Sequence, residues 1–255
     1  MIKVTMIGVG SAFSKRFHNT SALVHFPNGY NLLLDCGHSV PQGLHEQGIE
    51  LNNVNGVFIS HLHADHIGGL EEVALYNKFV LSGRKIDLLV PSKLVDKLWA
   101  KCLAGGLGSE GDGLSSYFNV HILHEPGQSI KPYPSICFLP LKIFPTAHVK
   151  GMDSYAIGIG DHLFYTADTL FDLLLLEQAD KYNFIFHDCQ MSEAKPTNVH
   201  ACIEELLTVP DELQERIFLM HYGDNIDAYY GNTGLMDILE EGDTWYIEGK
   251  SKIED

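Results

Sequence analysis

The chain has 255 residues, 45% of them hydrophobic, with 17 Lys and Arg against 33 Asp and Glu and a formal net charge of −16. That length and apolar content suffice for one large domain over residues 1–255 with a substantial core. No run of eighteen apolar residues offers a membrane span, and the acidic balance repels long nucleic acid, whose binding rests on neutralised phosphates.

The opening Met1-Ile2-Lys3-Val4-Thr5-Met6-Ile7 reads as a first strand and not as a signal peptide. Strands are predicted over 2–7, 21–26 and 31–35, with Pro27-Asn28-Gly29 as a turn. Gly8 and Gly10 lie between the first two strands. They are weak evidence for phosphate binding, because a hairpin follows them and a dinucleotide fold needs a strand–helix–strand unit. The stretch 16–21 can approach a phosphate or base, or be tied up in its own loop. A buried strand over 54–60 ends in the densest cluster of chemistry in the chain. A helix over 68–80, a strand over 86–90 and a helix from Pro91-Ser92 to about 103 follow. The glycine-rich 104–113 reads as a flexible loop or lid, or as an exposed connector.

Strand-like runs come near 119–124 and 136–144. Residues 154–159 and 162–166 flank Gly160-Asp161 in a hairpin. A helix is expected over 170–179, a short strand over 183–186, and helices near 198–207 and 211–216. A strand then ends at His221, and a final strand pair includes Trp245-Tyr246-Ile247. Glu71-Glu72, Glu204-Glu205 and Glu240-Glu241 read as solvated helix faces or ends. Five cysteines, at 36, 102, 137, 189 and 202, form no close pair, which predicts reduced thiols and a cytoplasmic protein.

The cluster is His61-Leu62-His63-Ala64-Asp65-His66. A single histidine is usually a surface or core residue, but three imidazoles and a carboxylate in six positions are metal-ligand chemistry. An extended chain sends alternate side chains to one face, so His61 and His63 can share an ion. Asp65 and His66 come where the chain begins to coil and can point to a second ion. Two ions roughly 3.5–4 Å apart can activate water and hold the oxygens of a phosphoryl or acyl centre.

This arrangement resembles the metallo-beta-lactamase superfamily, and the resemblance covers nearly the whole chain. It implies a four-layer αβ/βα sandwich with metals at the sheet edges. The family's ligands fall on His61, His63, Asp65, His66, His148, Asp168 and His221. His61, His63 and His148 are implied for one ion, Asp65, His66 and His221 for the other, and Asp168 as the bridge. The implied cofactor is two Zn2+ per chain, with Mn2+ as the alternative. Asp35, in Leu32-Leu33-Leu34-Asp35-Cys36-Gly37, matches the supporting aspartate.

The Gly-rich turn and the Arg16, Asn19 and Ser21 positions resemble the opening of the transfer-RNA 3'-processing branch. Catalytic roles are expected for Asp65, which orients the nucleophile or takes its proton, and for His200 as general acid. His200 can also be a helix-capping or surface residue. His187 is a candidate to support a ligand. Tyr117 and Tyr133 can stack on a base if they face the cleft. No ligand role falls to His18, His25, His38 or His45.

Within the superfamily the chain is similar to cyclic nucleotide phosphodiesterases, including phage anti-Pycsar proteins, which degrade cyclic mononucleotide immune signals as homodimers. The expected reaction is hydrolysis of 3',5'-cyclic mononucleotides to nucleoside monophosphates, in a host cytoplasm if the source is viral. One alternative is a transfer-RNA 3'-endonuclease, whose basic arm has no counterpart near 104–113, where Glu110 and Asp112 stand. The other is a non-catalytic metal-binding protein.

Overall fold

Short, largely apolar runs of two to seven residues build two sheets. The structure is a computed structural model and describes residues 1–109, 111–125, 139–192 and 199–248. The first sheet contains β1 (Ile2–Gly8), β2 (Ser21–His25), β3 (Asn31–Leu34), β4 (Gly56–Phe58), β5 (Asp87–Pro91) and β6 (Asn119–Leu123). The second contains β7 (Leu141–Pro145), β8 (Tyr155–Ile159), β9 (Leu163–Tyr165), β10 (Phe184–Asp188), β11 (Ile217–Met220) and β12 (Asp237–Ile238). The last strand, β13 (Thr244–Ile247), returns to pair antiparallel with β1. Strand orders are β13-β1-β2-β3-β4-β5-β6 and β12-β11-β10-β9-β8-β7.

The two sheets share a plan. Each opens with antiparallel hairpins, β1-β2-β3 and β7-β8-β9. Each then turns parallel, along β3-β4-β5-β6 and β9-β10-β11-β12. The central parallel strands are buried on both faces, as their unbroken apolar runs require. One hydrophobic cluster joins both sheets, and Phe184 and Phe218 of the second pack on Trp245 of the first. No helix among the described residues is long and apolar enough to cross a membrane.

Most elements lie where the sequence puts them, with informative differences. The strand over 54–60 contracts to β4 because Ser60 turns its backbone N–H to the Asp35 carboxylate. The glycine-rich stretch is not a loop throughout. Ala104–Leu107 is helical, Leu107 is buried, and Gly106 sits so close to Glu71 that a Cβ would fall 2.0 Å from its Oε2. Residue 110 and positions 136–138, with Tyr133 and Cys137, lie outside the described residues. The helix over 198–207 shortens to Ile203–Leu206. Ala201 instead gives its N–H to Thr169 O and accepts from Gln190 N, at 2.7 and 2.8 Å. The helix Leu173–Ala179 starts at Asp172, whose carboxylate caps Leu174 and Leu175. Cys36, Cys102, Cys189 and Cys202 are free thiols.

Candidate metal centre

Strand ends deliver the ligand-type residues to one place. His61 and His63 follow β4, and Asp65 and His66 lie in the short helix α1 (Ala64–Ile67). His148 follows β7, Asp168 follows β9, and His221 follows β11. This is the carboxyl edge of parallel strands, where open α/β sheets collect ligands.

The predicted ligands form two groups there, and Asp188, His200 and His221 form a third. In the first, His63 Nδ1 lies 3.0 Å from His61 Nε2 and 3.1 Å from His148 Nε2. Asp168 Oδ2 faces it, 3.7 Å from His61 Nε2 and 3.6 Å from His148 Nε2. In the second, Asp168 Oδ1 lies 3.1 Å from His66 Nε2 and 3.3 Å from His221 Nδ1. Asp65 Oδ2 completes it, 3.4 Å from His66 Nε2 and 3.9 Å from His221 Nε2. Within each group the candidate donor atoms lie inside 4.8 Å of one another. The two oxygens of one buried carboxylate thus serve two clusters.

The donor chemistry fits divalent cations. Three imidazole nitrogens converge in the first group, with too few protons to bond them all to each other. In the second, His66 Nε2 and Asp168 Oδ1 are buried without a well-aligned hydrogen bond. A cation satisfies all of these lone pairs, and an imidazole and carboxylate set suits zinc.

Outer partners aim the rings. His66 Nδ1 donates to Asp35 Oδ2 at 2.8 Å, and His148 Nδ1 donates to Val199 O at 2.6 Å, so Nε2 of each faces inward. Asp35 also accepts from Ser60 N at 2.8 Å and Ser60 Oγ at 2.7 Å. Thr20 Oγ1 lies 3.2 Å from His221 Nδ1. Asp35, Ala167 and His221 hold left-handed backbones, with φ of 60°, 50° and 64°. Three strained non-glycine residues around one centre mark a functional site.

The electrostatics differ between the two groups. Burial pushes the His61, His63 and His148 imidazoles down, toward the neutral form that binds metal. Burial opposes charge on His66 too, but Asp168 and Asp35 outweigh it and raise that ring well above the usual range. Asp65 and Asp168 are held down against their burial, Asp65 by its bond to His66 and Asp168 by the charges of His221 and His66. His200 is raised to about 9, because Asp188's charge and hydrogen bond overcome its burial.

His200 joins the site. It sits at the wall of a cavity of about 400 Å3 that also touches His63, Asp65, His148, Asp168 and His221. Its Nδ1 lies 2.8 Å from Asp188 Oδ2, a pairing that sequence reasoning missed. The available signal was a carboxylate closing the apolar run of β10 at the same sheet edge as the ligand-type residues.

Other candidates go elsewhere. Tyr117 is buried and gives its hydroxyl hydrogen to Leu107 O, so it offers no stacking face to this cavity. Arg16 is clamped on Asp227, Asn19 on Ser39, and Ser21 Oγ bonds Asp35 O, so these side chains are held by distant parts of the chain and not by their own loop. His187 is buried and donates from Nδ1 to the backbone carbonyl of Asp188, not to the side chain of a predicted ligand. His18 pairs with Glu241 and His25 with Asn31. His38 lines the cavity without entering either group, and His45 lies on the helix Val40–Glu46.

Comparison with known proteins places this geometry. The family model described as anti-Pycsar protein Apyc1 matches residues 2–245. The protein of that name from Bacillus phage 010DV004 is 49% identical over 256 residues, spanning 96% of this chain and 98% of the relative. One from Paenibacillus xerothermodurans is 39% identical, spanning 96% and 97%. Among solved structures, the metallo-beta-lactamase fold protein YhfI of Bacillus subtilis matches with a TM-score of 0.74 at 18% identity, covering 96% of this chain and 98% of that one. The short form of human tRNase Z matches with a TM-score of 0.69 at 17% identity, covering 96% and 99%. These structural likenesses show the metallo-beta-lactamase fold, two mixed sheets with helices, as the sequence implied. At the level of sequence, the chain belongs to the anti-Pycsar protein Apyc1 family.

Proposed function

We propose that this protein is a dinuclear phosphodiesterase that hydrolyses 3',5'-cyclic mononucleotides to nucleoside monophosphates, removing immune signals in a host cytoplasm. The observation that carries this reading is Asp168, whose Oδ2 and Oδ1 face two separate groups of ligand-type side chains beneath one cavity. The anti-Pycsar name of the relatives supports a small cyclic nucleotide as substrate. The net charge of −16 supports it against a long RNA.

His61, His63 and His148 would hold one ion, Asp65, His66 and His221 the other, with Asp168 shared; zinc suits the set and manganese is the alternative. When bound, the ions supply a water acidified toward neutral pH and neutralise charge on the phosphoryl oxygens. Asp65, whose carboxylate lines the cavity, would orient a water there and accept its proton. His200 gives a proton from Nε2 to the departing alkoxide, its ring held by Asp188 at Nδ1. Water adds across one phosphodiester bond, the ring opens, and the alkoxide leaves as a hydroxyl. We further propose a homodimer, by analogy with the family, whose contacts help to shape the substrate pocket.

The test is a panel of cyclic mononucleotides, cyclic dinucleotides and precursor transfer RNA, at equal metal-loaded enzyme and physiological salt. Turnover of cyclic mononucleotides is expected, with weak or absent transfer-RNA cleavage. Specific 3'-end cleavage with inert cyclic nucleotides overturns the reading in favour of the endonuclease. A full metal complement with no turnover on any diester favours a non-catalytic protein. A fully active monomer at nanomolar concentration overturns the dimer alone.

A further inference from the structure

We propose that Phe13 is the platform on which the substrate's nucleobase stacks, and that the cavity beside the metal centre seats that base. This rests on the phosphodiesterase reading above and assigns the part of the substrate that the metals do not touch.

The cavity measures about 830 Å3 and adjoins the metal cleft. His200 and His221 stand in the walls of both spaces, and so does Phe13. A phosphodiester beneath His200 therefore directs the rest of its nucleotide past Phe13 into the larger space. That space is wide enough for a nucleoside, and Met191, Val199 and Tyr229 give it apolar walls.

Phe13 is 87% exposed, the most exposed of the large hydrophobic side chains among the described residues. A single exposed aromatic needs no explanation by itself. Here the turn that carries it is pinned on both sides. Ser11 N donates to Tyr222 O at 2.9 Å, directly after the ligand-type His221. On the far side, Asp224 accepts from Ser14 Oγ, Lys15 N and Arg16 N, at 2.5, 3.0 and 3.1 Å. Arg16 locks onto Asp227 at 2.8 Å, and Phe17 packs edge-on against Tyr222 with ring centroids 5.3 Å apart. All these anchors lie in 222–227, the segment that leaves the metal centre. The fold thus fixes the base of the turn relative to the ligand-type residues and leaves Phe13 in solvent at the junction of two cavities. A fixed, open aromatic face is what a heteroaromatic base requires, and stacking tolerates any base because each has a π-face.

The test compares wild type, Phe13→Ala and Phe13→Trp as metal-loaded enzymes. Substrates are a purine and a pyrimidine 3',5'-cyclic mononucleotide, and ribose 3',5'-cyclic phosphate with no base. Phe13→Ala is expected to raise KM for both nucleotides roughly ten-fold while kcat holds, to leave the base-free diester unchanged, and to be rescued by Phe13→Trp. Solution mass and metal content are measured alongside. An unchanged KM in Phe13→Ala, an equal loss on the base-free diester, or a loss that follows a change of oligomeric state overturns the stacking role. A wild-type enzyme inert on every cyclic nucleotide overturns the phosphodiesterase reading as well, and is seen before any variant is made.

Discussion

Asp188 Oδ2 takes the Nδ1–H of His200 at 2.8 Å and the backbone N–H of Thr169 at 2.9 Å. One buried carboxylate therefore ties the proposed general acid to the residue that follows Asp168. The ring is oriented by a group that is itself fixed to the centre, which is how a proton donor is held against a leaving group.

If His200 donates that proton, its loss should depend on the leaving group. His200→Ala is expected to lower kcat on a cyclic nucleotide about 100-fold or more, the scale of general-acid catalysis. Metal content should be unchanged. An aryl ester, whose phenoxide leaves with little help, should lose much less. Steady-state kinetics on the two esters read this directly, and equal losses on both would falsify the acid role.

The same pair has a signature in stability. In the chelator-treated protein His200 is raised from an ordinary value near 6.5 to about 9. A raised folded value means that the stabilisation is fully present below about 6.5 and is lost as pH rises through about 9. Asp188→Asn removes the charge that raises it. The Tm gap between wild type and Asp188→Asn should be widest below pH 6.5 and close toward pH 9. The lost Thr169 contact adds a constant offset. A gap that is flat with pH counts against the pairing.

Among the described residues Asp168 is the sole carboxylate whose two oxygens face both predicted ligand groups, so its removal should not be confined to one ion. Elemental analysis of gently purified wild type is expected to give near two equivalents per chain. Asp168→Ala is expected to lower both, whereas His148→Ala should spare the group formed by Asp65, His66 and His221. A fully active wild type holding one equivalent would sink the dinuclear assignment.

The ligand-type residues were legible because each follows an apolar strand-forming run. Val57-Phe58-Ile59 leads to His61, and Ile217–Met220 leads to His221. Strand ends on the parallel side of a sheet converge whatever the loops do. Asp188 was not legible as His200's partner, because the segment carrying His200 adopts no regular pattern and is placed by Thr169 and Gln190 through backbone bonds. Nor were the left-handed backbones at Asp35, Ala167 and His221, since none of the three is the glycine that announces such a conformation. The glycines of 104–113 suggested mobility, yet Ala104–Leu107 is helical and Leu107 is buried.

Gly37 carries the last prediction, since it decides where Asp65 lies. The strand end at Cys36 docks on the metal turn, with Cys36 N donating to His66 O at 2.8 Å and Gly69 N donating to Cys36 O at 2.9 Å. A Cβ on Gly37 would lie 2.0 Å from Asp65 O and 2.6 Å from Asp65 C, both backbone atoms that no rotamer can move aside. Gly37→Ala should therefore push apart the strand end and the turn that bears Asp65 and His66, at a cost of about 1–3 kcal/mol. The loss of metal should fall mainly on the group formed by Asp65, His66 and His221. Gly29→Ala is the control. Its φ of 84° makes alanine strained there, but nothing lies within 4 Å of the new methyl and the turn is on the β2–β3 hairpin. Both variants should lower Tm, and Gly37→Ala alone should lower metal content and turnover. Two full equivalents of metal in Gly37→Ala would show that the turn can yield, and that close packing at this glycine does not set the site.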